Sequence, residues 1–78
     1  MPKWTPFKKQ PREHTNRGET WRSSRTNDDL VYVEIEKRLN EPGWDVEFSE
    51  HCGYGPFKSL AWAKRFAVAH RDLKAWWF

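Results

Sequence analysis

The residue types that most often carry chemistry are thinly spread along this chain. His51 and Cys52 form its one His/Cys cluster, and His14 and His70 lie far away in sequence. A structural zinc site takes four ligands at spacings such as CxxC, which one Cys and three scattered His do not supply. A Cys–His nucleophile pair needs both side chains on one side of the backbone, and adjacent residues on a strand point to opposite faces. Gly53-Tyr54-Gly55 lacks the phosphate-loop pattern and its Lys-Ser/Thr ending. No acid/base pair is placed by an evident cleft. The expectation is a chain that is not an enzyme, with no catalytic residues, no metal and no cofactor.

Charge is the stronger signal. The 78 residues carry 14 Lys and Arg against 11 Asp and Glu, a net +3, but the two signs are segregated. Residues 1–26 hold seven basic and two acidic residues, residues 27–56 two basic and eight acidic, and residues 57–78 five basic and one acidic. Such asymmetry bears on partners more than the net value does. Four carboxylates, Glu34, Glu36, Asp45 and Glu47, fall at alternate positions in two apolar stretches, LVYVEIEKRL (30–39) and WDVEF (44–48).

Alternation of this kind is the period of a strand with one buried face. Asn40-Glu41-Pro42-Gly43 joins the two stretches, and Pro followed by Gly suits a tight turn. A four-residue loop sets Leu39 opposite Trp44, Lys37 opposite Val46 and Ile35 opposite Phe48. One face then holds Val31, Val33, Ile35, Leu39, Trp44, Val46 and Phe48, with Lys37 at its margin. The other holds Tyr32, Glu34, Glu36, Arg38, Asp45, Glu47 and Ser49. The four carboxylates are thus expected together on an open sheet face, where they would attract a basic protein surface and repel phosphate. A solvated face that merely keeps the sheet soluble is the competing reading.

Residues 19–26 (ETWRSSRT) add a further strand, and Gly53–Pro56 breaks the sheet. Ser59 is a good N-cap, and the Ala-rich run after it reads as one long terminal helix. At helical spacing Trp62, Phe66, Ala69, Leu73 and Trp77 form the stripe expected to face the sheet, while Lys64, Arg71 and Lys74 fall on another. Residues 1–18 contain three Pro, few apolar residues and no period, the signature of a flexible basic arm. The expected fold is α+β: a two- or three-stranded antiparallel sheet packed on one C-terminal α-helix, with a flexible basic N-terminal arm. The expected organisation is the arm over 1–18 and a single small β-β-β-α domain over 19–78.

The run Gly55-Pro56-Phe57-Lys58-Ser59-Leu60-Ala61-Trp62-Ala63-Lys64-Arg65-Phe66-Ala67 resembles a strand-to-helix junction found in small sheet-plus-helix modules. The arm-site DNA-binding domains of tyrosine integrases are among them. That resemblance implies a three-stranded sheet that reads DNA, and an acidic sheet face argues against carrying the DNA contact over. Compactness, basic arm and surplus aromatics are also similar, as a class, to small phage accessory proteins that disable host machines.

The chain is too short for two domains. It has no apolar run long enough to span a bilayer and no apolar segment after its basic start, so membrane and secretory readings drop out and a cytoplasmic location is expected. The leading expectation is a binding protein that docks on, and modulates or inhibits, a protein of a nucleic-acid-handling machine. Glu34, Glu36, Asp45 and Glu47 would supply the charge, with Tyr32, Trp76 and Phe78 as anchors. The alternative is direct nucleic-acid binding through Lys8, Lys9, Arg12, Arg17, Arg22, Lys64, Arg71 and Lys74. The second alternative is a homodimeric adaptor that buries its C-terminal aromatic end, Trp76-Trp77-Phe78.

Overall fold

A computed structural model of the chain describes residues 3–11, 18–49 and 53–74, with side chains through residue 71. Five strands run in sequence order: β1 (Lys8–Lys9), β2 (Thr20–Arg25), β3 (Asp28–Lys37), β4 (Trp44–Phe48) and β5 (Gly53–Phe57). Each pairs antiparallel with the next, so the sheet is a simple meander. One helix, α1 (Leu60–Lys74), packs across β3, β4 and β5.

The sheet is therefore larger than the two or three strands expected, by one strand at each edge. β1 comes from the segment expected to be a flexible arm. The Thr5 and Gln10 amides donate to the Ser24 and Thr20 carbonyls, both at 2.8 Å. Thr5 Oγ1 accepts from the Ser24 amide, and the Ser23 hydroxyl donates to the Thr5 carbonyl at 2.6 Å. These are backbone and hydroxyl pairings, which hydrophobic periodicity does not register. β5 comes from the stretch read as a sheet breaker. Two Gly and a Pro lower strand propensity, but an edge strand tolerates them because one of its sides needs no ladder partner.

The core follows from the alternation in β3 and β4. Val33, Ile35, Val46 and Phe48 are buried, and they meet Ala63 and Ala67 of α1. Burying a side chain such as Val33 or Ile35 fully is worth ~1.5–3 kcal/mol relative to leaving it exposed. The hairpin register differs from the expected one by two residues. Lys37 faces Trp44, Ile35 faces Val46 and Val33 faces Phe48. The connection spans residues 38–43, closed by the Arg38 amide donating to the Gly43 carbonyl at 3.0 Å. A shift of two preserves which face each side chain takes. It does eject Leu39, expected in the core, which is 51% exposed.

Ser59 caps α1 as its residue type implies: its hydroxyl accepts from the Trp62 amide at 3.2 Å. The buried stripe, however, is Leu60, Ala63, Phe66 and Ala67, and Trp62 is 56% exposed. Two alanines one turn apart let the helix backbone approach a sheet whose own side chains already fill the interface. An indole at that contact would force the layers apart. Of the expected stripe, Phe66 does face the sheet, while Trp62 and Ala69 lie outward. Leu73 and Trp77, assigned to the same stripe, have side chains outside the described residues.

Candidate functional site

Two surfaces of the molecule carry concentrated charge. The first is the open sheet face, opposite the helix. Glu34 stands directly across from Glu47, and Glu36 directly across from Asp45. The expected register opposed one pair of carboxylates; the observed one opposes two. Like charges facing each other across a ladder oppose sheet formation, so the four carboxylates sit together despite a local cost.

Two arginines flank the patch. Arg38 donates through Nε to both Asp45 oxygens, at 3.2 and 3.0 Å, and through Nη1 to Glu41 at 2.8 Å. These acceptors raise the Arg38 pKa, the Asp45 hydrogen bond being the largest cause. On the other side Arg22 lies 3.9 Å from Glu34 and donates to the Asp29 carbonyl. Its guanidinium also covers the Tyr32 ring at 4.0 Å. Tyr32, expected as an anchor, is thus half-buried beneath Arg22. Beyond β4, the glycines of β5 leave the surface low. Arg38, Asp45, Glu47, Gly53, Tyr54 and Gly55 border a shallow hollow of about 520 Å³ there.

The second charged surface belongs to the helix side. Lys64 Nζ sits 4.2 Å over the Trp21 ring. The Trp21 indole N–H donates to Glu19 at 2.7 Å, and Lys9 lies 3.5 Å from the same carboxylate. The indole hydrogen bond, the largest cause, holds the Glu19 pKa below its ordinary value against an upward push from desolvation, with Lys9 adding to the lowering. Arg71 reaches back to the N-terminal segment. It donates to the Ser23 hydroxyl at 2.6 Å and places its guanidinium 5.4 and 5.6 Å from the Trp4 and Phe7 rings.

The residues expected for nucleic-acid contact consequently divide. Lys8 and Arg22 face each other on the open sheet side. Lys9, Lys64 and Arg71 belong to the helix side, each engaged with Glu19 or an aromatic ring. Arg12, Arg17, Trp76 and Phe78 lie outside the described residues, as does the side chain of Lys74. So does His51-Cys52.

The aromatic surplus largely finds structural places. Trp4 and Phe7 pack around Arg71. Tyr54 packs on Phe48 and Phe66, with ring centroids at 5.8 and 5.1 Å. His70 stacks on Phe66 at 3.8 Å. Sequence reasoning missed Trp62, which it placed in the core; the competing Leu60–Ala63–Ala67 stripe was the signal that would have freed it. Among the described residues, no group of three or more His, Cys, Asp or Glu is placed to hold a metal ion, and no helix is long and apolar enough to cross a membrane. No protein-family model, curated protein or solved structure matches the chain.

Proposed function

We propose that this chain is a non-enzymatic cytoplasmic binding protein. It docks its open sheet face on a basic protein surface and modulates or blocks what that surface does. The observation that carries the reading is the two opposed carboxylate pairs, Glu34/Glu47 and Glu36/Asp45, in the rungs either side of Ile35–Val46 in the β3–β4 ladder. Arg22 and Arg38 each offset one carboxylate, Glu34 and Asp45, and a cationic partner adds to that neutralisation. The shallow hollow beside β5, floored by glycine and bordered by Asp45 and Glu47, has room for a long Lys or Arg side chain. Protein surfaces that hold nucleic acid are basic. An acidic face that competes for such a surface makes a nucleic-acid-handling machine the favoured class of target.

The test is a double charge reversal, Glu36→Lys with Glu47→Lys. Each new lysine faces a carboxylate, Asp45 or Glu34, so the ladder gains opposite-charge pairs, and far-UV circular dichroism of the variant should match wild type. A Lys/Arg-rich peptide titrated into the labelled wild-type protein should shift the amide resonances of residues 34, 36, 45 and 47. The reversed variant should bind it at least tenfold more weakly, mainly through slower association. Equal affinity for the two proteins would remove the acidic face as the docking surface.

A further inference from the structure

The outward face of α1 differs in character from the open sheet face. Trp62 is 56% exposed and is not among the described residues that pack against the core. The Arg65 guanidinium lies over its ring at 5.0 Å. Next to this stack, Lys64, Arg65, Val68 and Ala69 border a shallow dish of about 380 Å³. Lys58, exposed, immediately precedes the helix cap. Residues 57–74 carry five basic residues and one acidic, Asp72. The first turn of the helix has no acidic residue to offset the positive end of its dipole.

We infer that this face binds single-stranded nucleic acid, with Trp62 and Arg65 as a stacking platform for a base and Lys58 and Arg65 as phosphate contacts, the Lys64 ammonium being turned to Trp21. The charge dictates an anionic partner. The shape favours a nucleic acid over an acidic protein. Protein interfaces bury ~800 Å² per partner around a packed apolar centre. Among the described residues of this face the large apolar side chains are two, Trp62 and Val68, and the dish is shallow and open. A single strand needs less: one aromatic face per base and a few cations along its backbone. The guanidinium extends the platform, since Arg planes stack on bases as aromatic rings do. Arg71 has no part in this face, because it is turned inward to Ser23, Trp4 and Phe7. The open sheet face lies on the other side of the sheet and would repel the same strand. The two surfaces can be engaged together, and the inference stands whether or not the acidic face docks a protein.

The experiment is fluorescence anisotropy of a labelled mixed-sequence DNA strand of about 15 nucleotides, near the upper site size of small single-strand binders, at ~50 and ~200 mM salt. The wild-type protein should bind the strand. Trp62→Ala should weaken binding about tenfold, within the range seen when one stacking aromatic is lost, and Trp62→Phe should restore part of it. Arg65→Gln should flatten the plot of log affinity against log salt by ~0.7, the share of one phosphate contact on a single strand. Both side chains are exposed, and far-UV circular dichroism of the variants should match wild type. No binding at the lower salt would overturn the inference, as would binding indifferent to Trp62. Trp62-dependent binding of an oligoglutamate peptide or phosphatidylserine vesicles, without binding of the strand, would overturn it in favour of those partners.

Discussion

Glu19 shows how one side chain on this protein is set by its neighbours. Its carboxylate takes a hydrogen bond from Trp21 and faces Lys9, and both lower its pKa. A depressed pKa means that the carboxylate stabilises the fold at pH values above its unfolded pKa. That contribution is lost as pH falls through the lower, folded value. Trp21→Phe keeps the ring under Lys64 and removes the N–H donor. In a carboxyl-carbon NMR titration, the Glu19 midpoint of this variant should rise toward the ordinary carboxylate value. The acid side of its stability curve should lose the part that follows Glu19. An unchanged midpoint would show that Lys9, not the indole, sets the shift. At this scale the sequence disclosed the charged face well, because alternation alone places Glu34, Glu36, Asp45 and Glu47 together. It did not disclose their pairing. Which carboxylate opposes which depends on a loop closed at Gly43, and the number of residues in that loop is not written in the Pro-Gly turn signal.

The elements were legible where one side of the chain is apolar, and illegible where hydrogen bonds or backbone shape do the ordering. β3 and β4 alternate, and α1 carries its cap and its alanines, so each is visible as text. β1 is ordered by pairing to β2, and β5 by a backbone that only glycine accommodates readily. Gly55 has a φ of 139°, and a Cβ there would lie 2.6 Å from Asp45 Oδ1 and 2.9 Å from the Trp44 carbonyl oxygen. Gly53, two residues away, has nothing within 4 Å of the same position. Gly55→Ala should therefore destabilise the protein by ~1–3 kcal/mol, the usual cost of a non-glycine residue in a disfavoured backbone region. Gly53→Ala should stay within ~0.5 kcal/mol of wild type, as surface substitutions away from special features do. Denaturant midpoints of the two variants separate these outcomes. Equal midpoints would mean that β5 relaxes around the new methyl group. Both sheet edges have a protective character: β1 is two lysines long, and β5 ends in Pro56-Phe57. Short, charged or proline-bearing edges discourage strand addition, which leaves the two broad faces as the surfaces available to partners.

On the scale of the whole molecule, the segregation of charge along the chain becomes a partial segregation in space, the open sheet face holding Lys8, Arg22 and Arg38 beside its four carboxylates. The acidic middle of the sequence supplies β3 and β4, whose outward residues form the open sheet face. The basic ends supply β1 and α1, with Lys9, Lys64 and Arg65 on the helix side. The net +3 conceals this polarity, and the hydrophobic alternation creates it by fixing which residues turn away from the core. Each of the two carboxylate rungs has one arginine beside it, Arg22 at Glu34 and Arg38 at Asp45, and the repulsion that is left is measurable. Glu47→Gln removes one charge from the Glu34/Glu47 rung without changing shape. It should raise unfolding stability by about 0.5 kcal/mol at low salt, within the range of a single cross-strand pair. The gain should shrink in ~1 M salt, where screening reaches only about 3 Å. The same substitution should weaken binding of a Lys/Arg-rich peptide. Stability and affinity are thus expected to move in opposite directions, and that opposition separates a docking surface from a merely solvated one. If Glu47→Gln lowers stability, the carboxylate holds the sheet together through local contacts, and repulsion in that rung is not what the face stores for a partner.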